Sequence, residues 1–387
     1  MSFIELDYYN INELLTEEEI LIRDTVRDFV NTEVLPIIEN HYIEGTFPME
    51  LVPKMAALGL FGVTLPESYG GAGASYTSYG LAMQELERGD SGVRSFASVQ
   101  NSLVMFPIYK YGSEALRQKW LPKMAAGEAI GCFGLTEPDY GSNPGGMVTT
   151  AKRIDGGFLL NGAKMWITNG SISDVAVVWA KLDGEVHGFL VEKERKGFTA
   201  PLMKGKYSLR ASVTSELIFQ DVEIPEENIL NVEGLKGPLS CLSQARYGIA
   251  FGAVGSALSV FDSALQYSKS RIQFDKPIAS FQIVQSKLVW MANEITKGQL
   301  INYRLGRLMD EGKVRPQQIS LAKRNNVDMA LQAARMSREI HGANGILADY
   351  PVMRHAANLE SVNTYEGTYD IHTLIIGEDL TGISAFR

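Results

Sequence analysis

The chain has little cysteine: Cys132 and Cys241 are two in 387 residues. Two thiols cannot form a disulfide framework, and such sparse use fits a reducing compartment. The five histidines (His41, His187, His341, His355 and His372) show no H-E-x-x-H spacing, and no C-x-x-C occurs, so a zinc site has no support. Basic residues are in deficit, 36 against 45 acidic for a formal charge of -9, which argues against a nucleic-acid partner. The longest nearly apolar stretch, 249–261, is broken by Gly and Ser and falls short of the ~20 residues of a spanning helix, so no integral membrane segment is expected. The acidic start, Met1 to Asp7, has neither a basic nor an apolar region of a signal peptide and is not rich in Arg and Ser like a transit peptide. Cytoplasmic location is the expectation in a bacterium, or the mitochondrial matrix for a processed eukaryotic protein. No internal repeat, low-complexity tract or long linker appears.

What is there is 45% hydrophobic residues, enough for two or three cores. The pattern changes twice along the chain. Residues 1–128 read as helical. Thr16 and Glu19 form a capping box, with Ile22, Val26, Phe29 and Val30 following at helical spacing. Pro36 is expected to end or kink that helix. Further helical patterns cover 48–58, 76–88, 94–111 and 114–126, the last capped by Ser113. Residues 129–235 carry short β-rich runs with Asp and Gly at the turns, predicting an antiparallel β-domain. Residues 236–387 return to long helical windows at 240–271, 280–311 and 316–341, with a last helix from Asp370. The fold class expected is mainly α with a middle β-domain.

Six constellations can carry chemistry. Phe133 to Ser142 runs from an apolar strand into a turn dense in hydroxyls and glycines, suited to a heterocycle with amide-like edges, or equally an ordinary strand-to-turn transition. Lys164 to Gly170 sets Trp166 beside Thr168, which can stack on and hydrogen-bond an aromatic ligand; a Trp in a β-core fits as well. Arg271 to Pro277 places a guanidinium for a phosphate and Phe274 for an adenine, or simply a basic residue at a helix end. Gly342-Ala343-Asn344-Gly345 permits close approach of a pyrophosphate but is no Rossmann fingerprint. Glu366, in Tyr365-Glu366-Gly367-Thr368, becomes a general base if an apolar pocket raises its pKa. Arg94, Ser95 and Ser98 lie at neighbouring helical positions and can clamp a carboxylate. Glu87 reaches Arg94 if the helix continues through Gly89-Asp90-Ser91-Gly92.

Together these blocks resemble the acyl-CoA dehydrogenase family over nearly the whole chain. The carriers are ELERGDSGVRSFASVQNSLVMFPIYKYGSE, GCFGLTEPDYGSNPGGM, LNGAKMWITNG, ARYGIAFG, RIQFDKPIASFQ and NLESVNTYEGTYDIHTLIIGEDLTGISAF. The Arg-Ser-x-x-Ser and NTYEGTYDIH blocks point to its glutaryl-CoA branch.

The resemblance implies a helical N-domain, a β-barrel-like middle domain and a C-terminal four-helix bundle, assembled as a homotetramer with FAD shared between subunits. It implies that Phe133, Leu135, Thr136 and Ser142 face the flavin, with Trp166, Ile167 and Thr168 on its other side. Arg271, Phe274, Gln282, Gly342, Ala343, Thr368 and Asp370 belong to the diphosphate and adenine side. Glu366 is then the catalytic base, with Arg246, Ser142 and Gly367 against the acyl-CoA. Arg94, Ser95, Ser98 and Tyr365 enclose a distal carboxylate. Implied too are oxidation and decarboxylation of glutaryl-CoA to crotonyl-CoA, as in lysine and tryptophan degradation, with an electron-transferring flavoprotein as acceptor. Three departures stand out: Ala343 where the family has Gly, Tyr369 where it often has His, and Glu339 where many members have Gln. The rival readings are a dehydrogenase or oxidase of another short acyl-CoA and a flavin-free assembly protein. A neutral acyl chain is expected to leave Arg94 desolvated and unpaired, which favours an acidic substrate.

Overall fold

The computed structural model describes Phe3 and residues 5–386. The capping box forms as the sequence predicts: Thr16 Oγ1 accepts from the Glu19 N–H, and Glu19 accepts from the Thr16 N–H. Behind it α1 (Glu17–Phe29) does not stop at Pro36. One widened turn, Val30–Val34, absorbs the lost N–H and the ring's bulk, and α2 (Leu35–Glu44) continues with Pro36 in its first turn. Of the two outcomes expected at Pro36, an end or a kink, the helix does not end but is disturbed by the widened turn just before it. After α3 (Leu51–Ala57), α4 (Tyr76–Gly89) is buried almost all round. Asp90 breaks it with extended backbone and caps α5 (Ser91–Ser98), its carboxylate accepting from the Gly92 N–H at 2.6 Å. Another widened turn, Val99–Met105, leads into α6 (Phe106–Tyr111), and Ser113 caps α7 (Glu114–Ala125).

The middle segment holds β1 (Gly131–Gly134), β2 (Thr150–Ile154), β3 (Gly157–Thr168), β4 (Val175–Leu182), β5 (Glu185–Glu192), β6 (Phe198–Thr199), β7 (Thr214–Pro225) and β8 (Ile229–Glu233). The strand order is β6-β7-β3-β2-β4-β5-β8, with β1 also paired to β4. The sheet is not purely antiparallel as expected. β1 and β2 both run parallel to β4, because long connections rather than hairpins join them to it. Where β3 pairs with β7, the register slips between Lys164 and Ile167. Trp166 sits in that bulge with φ +65° and is 62% exposed, so the bulge turns the indole out of the sheet.

Four long elements build the last segment around α8 (Lys236–Ser270). A short hairpin, β9 (Ile272–Gln273) and β10 (Lys276–Pro277), leads to α9 (Gln282–Asp310) and α10 (Pro316–Ile340). Then come α11 (Val352–Thr364), which no sequence window predicts, and α12 (Tyr369–Thr381). By length and composition α8 is apolar enough to cross a bilayer, beyond the shorter stretch recognised in the sequence. Its apolar window is 78% buried among neighbouring helices, as befits a core helix. At Gly255 a Cβ would come within 1.9 Å of the Gln84 carbonyl, so α4 and α8 touch backbone to backbone.

Candidate functional site

Four elements converge on the link between α11 and α12. From α4 and α5 come Glu87 and Arg94, both fully buried, with Arg94 Nε donating to Glu87 Oε2 at 2.6 Å. Ser91 Oγ donates to the other Glu87 oxygen at 2.9 Å. The helix does not continue through this region: the break at Asp90 folds α5 back so that the pair still meets. Arg94, Ser95 and Ser98 occupy the middle and end of α5 rather than its start. Arg94 is therefore not unpaired, contrary to the expectation for a site without an acidic ligand. Its Nη2 donates to the Tyr365 hydroxyl, and its guanidinium carbon lies 5.7 Å from that ring's centre. What remains buried and without a hydrogen-bond partner is Arg94 Nη1, together with Ser98 Oγ. Ser95 is buried on the same helix.

The link itself carries Tyr365, Glu366 and Gly367, and Thr368 caps α12 by accepting from the Ile371 N–H at 3.1 Å. Asp370 is exposed in the first turn of that helix. Glu366 has φ +54°, and its Oε2 is buried with no hydrogen-bond partner. Burial raises the Glu366 pKa; Arg94, Lys323 and Arg246 pull against that, while Glu87 adds to it. Arg246, from α8, donates through Nε to the Glu366 carbonyl at 2.7 Å. Lys323, from α10, donates to the Tyr365 and Gly367 carbonyls. Gly367 (φ +96°) allows His372 and Arg246 to crowd in: a Cβ there would lie 2.9 Å from His372 Nε2.

This arrangement unites Arg94, Ser98, Arg246, Tyr365, Glu366 and Gly367. A carboxylate with a raised pKa and an unbonded oxygen, set among cations, can take a proton from a carbon acid whose conjugate base is stabilised nearby. Lys323 escaped the sequence reading. The signal was available: Ile319, Ala322, Asn326, Val327 and Ala330 mark the buried face of α10, and Lys323 lies on it.

Other residues assigned from sequence fall into two further groups. At the ends of β1 and β3, Thr136 and Thr168 are half-buried and linked through the strands, the Thr136 carbonyl accepting from the Met165 N–H at 2.8 Å. Trp166 and Ser142 stand exposed there. The side chains of Phe133, Leu135 and Ile167 are buried in the hydrophobic cores at the same strand ends. Glu137 and Lys164 form a buried pair at 2.8 Å that ties the two strands together. Burial lowers the Lys164 pKa to about 8, while the Glu137 carboxyl is held below its ordinary value by Lys164, Thr149 and the Val148 N–H, so this carboxylate stays ionised.

The second place is the far end of α8. Arg271 caps the helix, Phe274 on the hairpin is 85% exposed, and Gln282 opens α9. Gly342 and Ala343 are exposed just beyond α10, where Asn344 Nδ2 donates to the Tyr267 hydroxyl. Twenty-five helical residues separate Arg246 from Arg271, about 37 Å at 1.5 Å per residue. One chain therefore does not bring Arg271, Phe274, Gln282, Gly342 and Ala343 to Glu366. Of the departures, Tyr369 receives a hydrogen bond from Arg324, and Glu339 pairs with Lys287 at 2.6 Å.

The donor set fits a flavin dinucleotide. An outward indole with flanking hydroxyls suits the ring system, and an exposed aromatic beside a guanidinium suits an adenine and diphosphate.

Fold and site together fit a flavin-dependent enzyme that removes a proton with a buried carboxylate. The sequence matches the acyl-CoA dehydrogenase N-terminal domain over residues 16–128, the middle domain over 132–222 and the C-terminal domain over 233–381. A glutaryl-CoA dehydrogenase of Mycobacterium smegmatis, solved in complex with FADH2, is 51% identical with a TM-score of 0.98, each chain covered in full (100%). An acyl-CoA dehydrogenase of Bacillus subtilis is 38% identical over 95% of this chain and 99% of its own. The human short-chain specific acyl-CoA dehydrogenase is 35% identical over 95% of this chain and 90% of its own. The chain belongs to the acyl-CoA dehydrogenase family and is FAD-dependent.

Proposed function

We propose that the chain oxidises glutaryl-CoA at Cα and Cβ and releases carbon dioxide to give crotonyl-CoA. The carrying observation is Arg94 Nη1, buried without a hydrogen-bond partner on a guanidinium whose Nη2 reaches Tyr365 beside Glu366, with the buried Ser98 hydroxyl one helical turn further along α5. A carboxylate at the end of a five-carbon acyl chain satisfies both. Glu366 Oε2 takes the α-proton, its raised pKa matching it to a weak carbon acid. The Glu366 N–H donates to the thioester carbonyl, where enolate-like charge develops. Bound FAD supplies the acceptor for the β-hydrogen as hydride. Arg94 holds the distal carboxylate until oxidation makes its loss favourable, and the resulting dienolate is reprotonated.

The same reading makes the protein a homotetramer. The Arg271 group of one subunit then serves the dinucleotide whose ring lies near Trp166 of another. Reduced enzyme passes electrons to an electron-transferring flavoprotein.

A second reading has a specific observation behind it. Glu87 already neutralises Arg94, so a neutral short acyl chain is not excluded by an isolated charge. The deciding experiment offers glutaryl-, butyryl- and isovaleryl-CoA with an artificial acceptor and identifies products. Crotonyl-CoA and carbon dioxide from glutaryl-CoA, at the highest kcat/KM of the three, support the first reading. A higher kcat/KM for butyryl-CoA without carbon dioxide release from glutaryl-CoA supports the second.

A further inference from the structure

We propose that Lys323 is a positioning residue for Glu366: its buried ammonium clamps the carbonyls on either side of the base and so fixes where the carboxylate points. This rests on the reading of Glu366 as the base.

Lys323 is 1% exposed on the packed face of α10, between Ile319 and Val327. A buried ammonium is costly unless its donors are used. Here they are spent on backbone: Nζ donates to the Tyr365 carbonyl at 2.5 Å and to the Gly367 carbonyl at 2.6 Å. The carbonyl between them, that of Glu366, takes the Arg246 Nε–H. Three successive carbonyls are thus held by two cations. The conformation they hold is left-handed at a residue with a β-carbon, which persists only when surroundings enforce it. The Glu366 side chain takes part in none of these bonds. The loop is fastened by its backbone and by the Tyr365 hydroxyl, and the carboxylate is left for chemistry. A neutral apolar residue at 323 would free two carbonyls and let the loop relax.

The same ammonium acts on the charge of the base. Facing it from the packed elements are Glu87 of α4, Arg94 of α5, Arg246 of α8, Tyr365 and Glu366 on the link, and His372 of α12. Burial lowers the Lys323 pKa, with Glu366 opposing and Arg246 and Arg94 adding to the fall. Lys323 in turn pulls the Glu366 pKa down against burial. Removing the positive charge therefore raises the Glu366 pKa further, a consequence that a purely mechanical brace does not have.

The test uses the FAD holoenzyme of wild type, Lys323→Met, Lys323→Gln, Lys323→Arg and Glu366→Gln, with glutaryl-CoA and butyryl-CoA. The readouts are flavin content, kcat, KM and the acid limb of kcat/KM. In Lys323→Met, kcat is expected to fall about 100-fold, as for a misplaced catalytic group, with KM within about threefold and the acid limb moved to higher pH. Lys323→Arg keeps the charge and restores the position of the limb. If Lys323→Met does not fold, Lys323→Gln, which retains a donor for one carbonyl, is read by the same criteria. A flavin-loaded Met or Gln variant with wild-type kcat and an unmoved limb overturns the proposal. If Glu366→Gln itself turns over normally, the reading of Glu366 fails instead, so the two failures are distinguishable.

Discussion

Arg94 and Glu87 form a fully buried ion pair, 2.6 Å from Nε to Oε2, across a helix break that on paper separates them. Asp90 makes the break and is itself fixed, its carboxylate accepting from Arg354 Nη1 at 2.7 Å and from Asn358 Nδ2 at 2.9 Å. The geometry that aims Arg94 toward the Glu366 loop is thus held by α11, the helix that runs into that loop.

Gly252 of α8 lies directly against this pair. A Cβ there would stand 2.0 Å from Glu87 Oε2, and Glu87 has no exposed volume to move into. Gly252→Ala should cost about 1–3 kcal/mol through overpacking and displace Glu87 from Arg94. A lowered melting temperature together with reduced glutaryl-CoA turnover is the expected outcome. An unchanged melting temperature contradicts the tight contact.

Glu366→Gln should keep FAD and bind acyl-CoA yet scarcely bleach the flavin, since an amide of the same shape cannot accept the α-proton. Loss of a general base costs about 10²–10⁴-fold. Anaerobic stopped-flow measurement of flavin reduction gives the number directly, and a wild-type rate removes Glu366 from the role.

If FAD is shared between subunits as proposed, Arg271→Ala should lose FAD and loosen the assembly together. A charge-assisted contact of this kind contributes about 1.5–3 kcal/mol. Flavin content and sedimentation are measured on one preparation; full flavin with unchanged sedimentation contradicts the shared site.

Acid should destabilise the protein through two imidazoles. Burial first, then Arg354 and Arg88, hold His355 neutral; burial, Lys323 and Arg246 push the His372 pKa down to about 2. An unfolded imidazole binds a proton near its ordinary pKa of about 6.5. Below that pH the unfolded chain therefore binds more protons than the folded one. Stability falls as pH drops, by up to about 1.4 kcal/mol per pH unit for each imidazole. The melting temperature should decline between pH 6.5 and 5, and His355→Leu should flatten the decline. A flat wild-type profile counts against both assignments.

Local signals told most about the elements that local chemistry controls. Thr16 and Ser113 were legible as caps because a hydroxyl before a helical pattern has one obvious use. The exposed Trp166 was legible as a residue but not as an outward one, since the bulge that turns it depends on β7. The helix α11 was missed because Arg354, His355 and Asn358 are all buried and interrupt its apolar stripe. For Lys323 the place on the apolar face of α10 is legible, but the role is not, because its acceptors lie forty-odd residues away. The pairing of Arg94 was misjudged for the related reason that Gly89 to Gly92 looked like an interruption, whereas the turn is what brings Glu87 back.

The most direct measurement is kcat/KM for glutaryl-CoA and butyryl-CoA in wild type and in Arg94→Gln. Truncating one partner of a buried charge pair costs about 3–5 kcal/mol, so glutaryl-CoA turnover should fall on the order of several hundred-fold or more. Butyryl-CoA, with no charge to place beside Arg94 Nη1, should show only the smaller loss that comes from leaving Glu87 without its cation. Equal losses on both substrates would show that Arg94 only supports the fold and that recognition of a distal carboxylate is wrong.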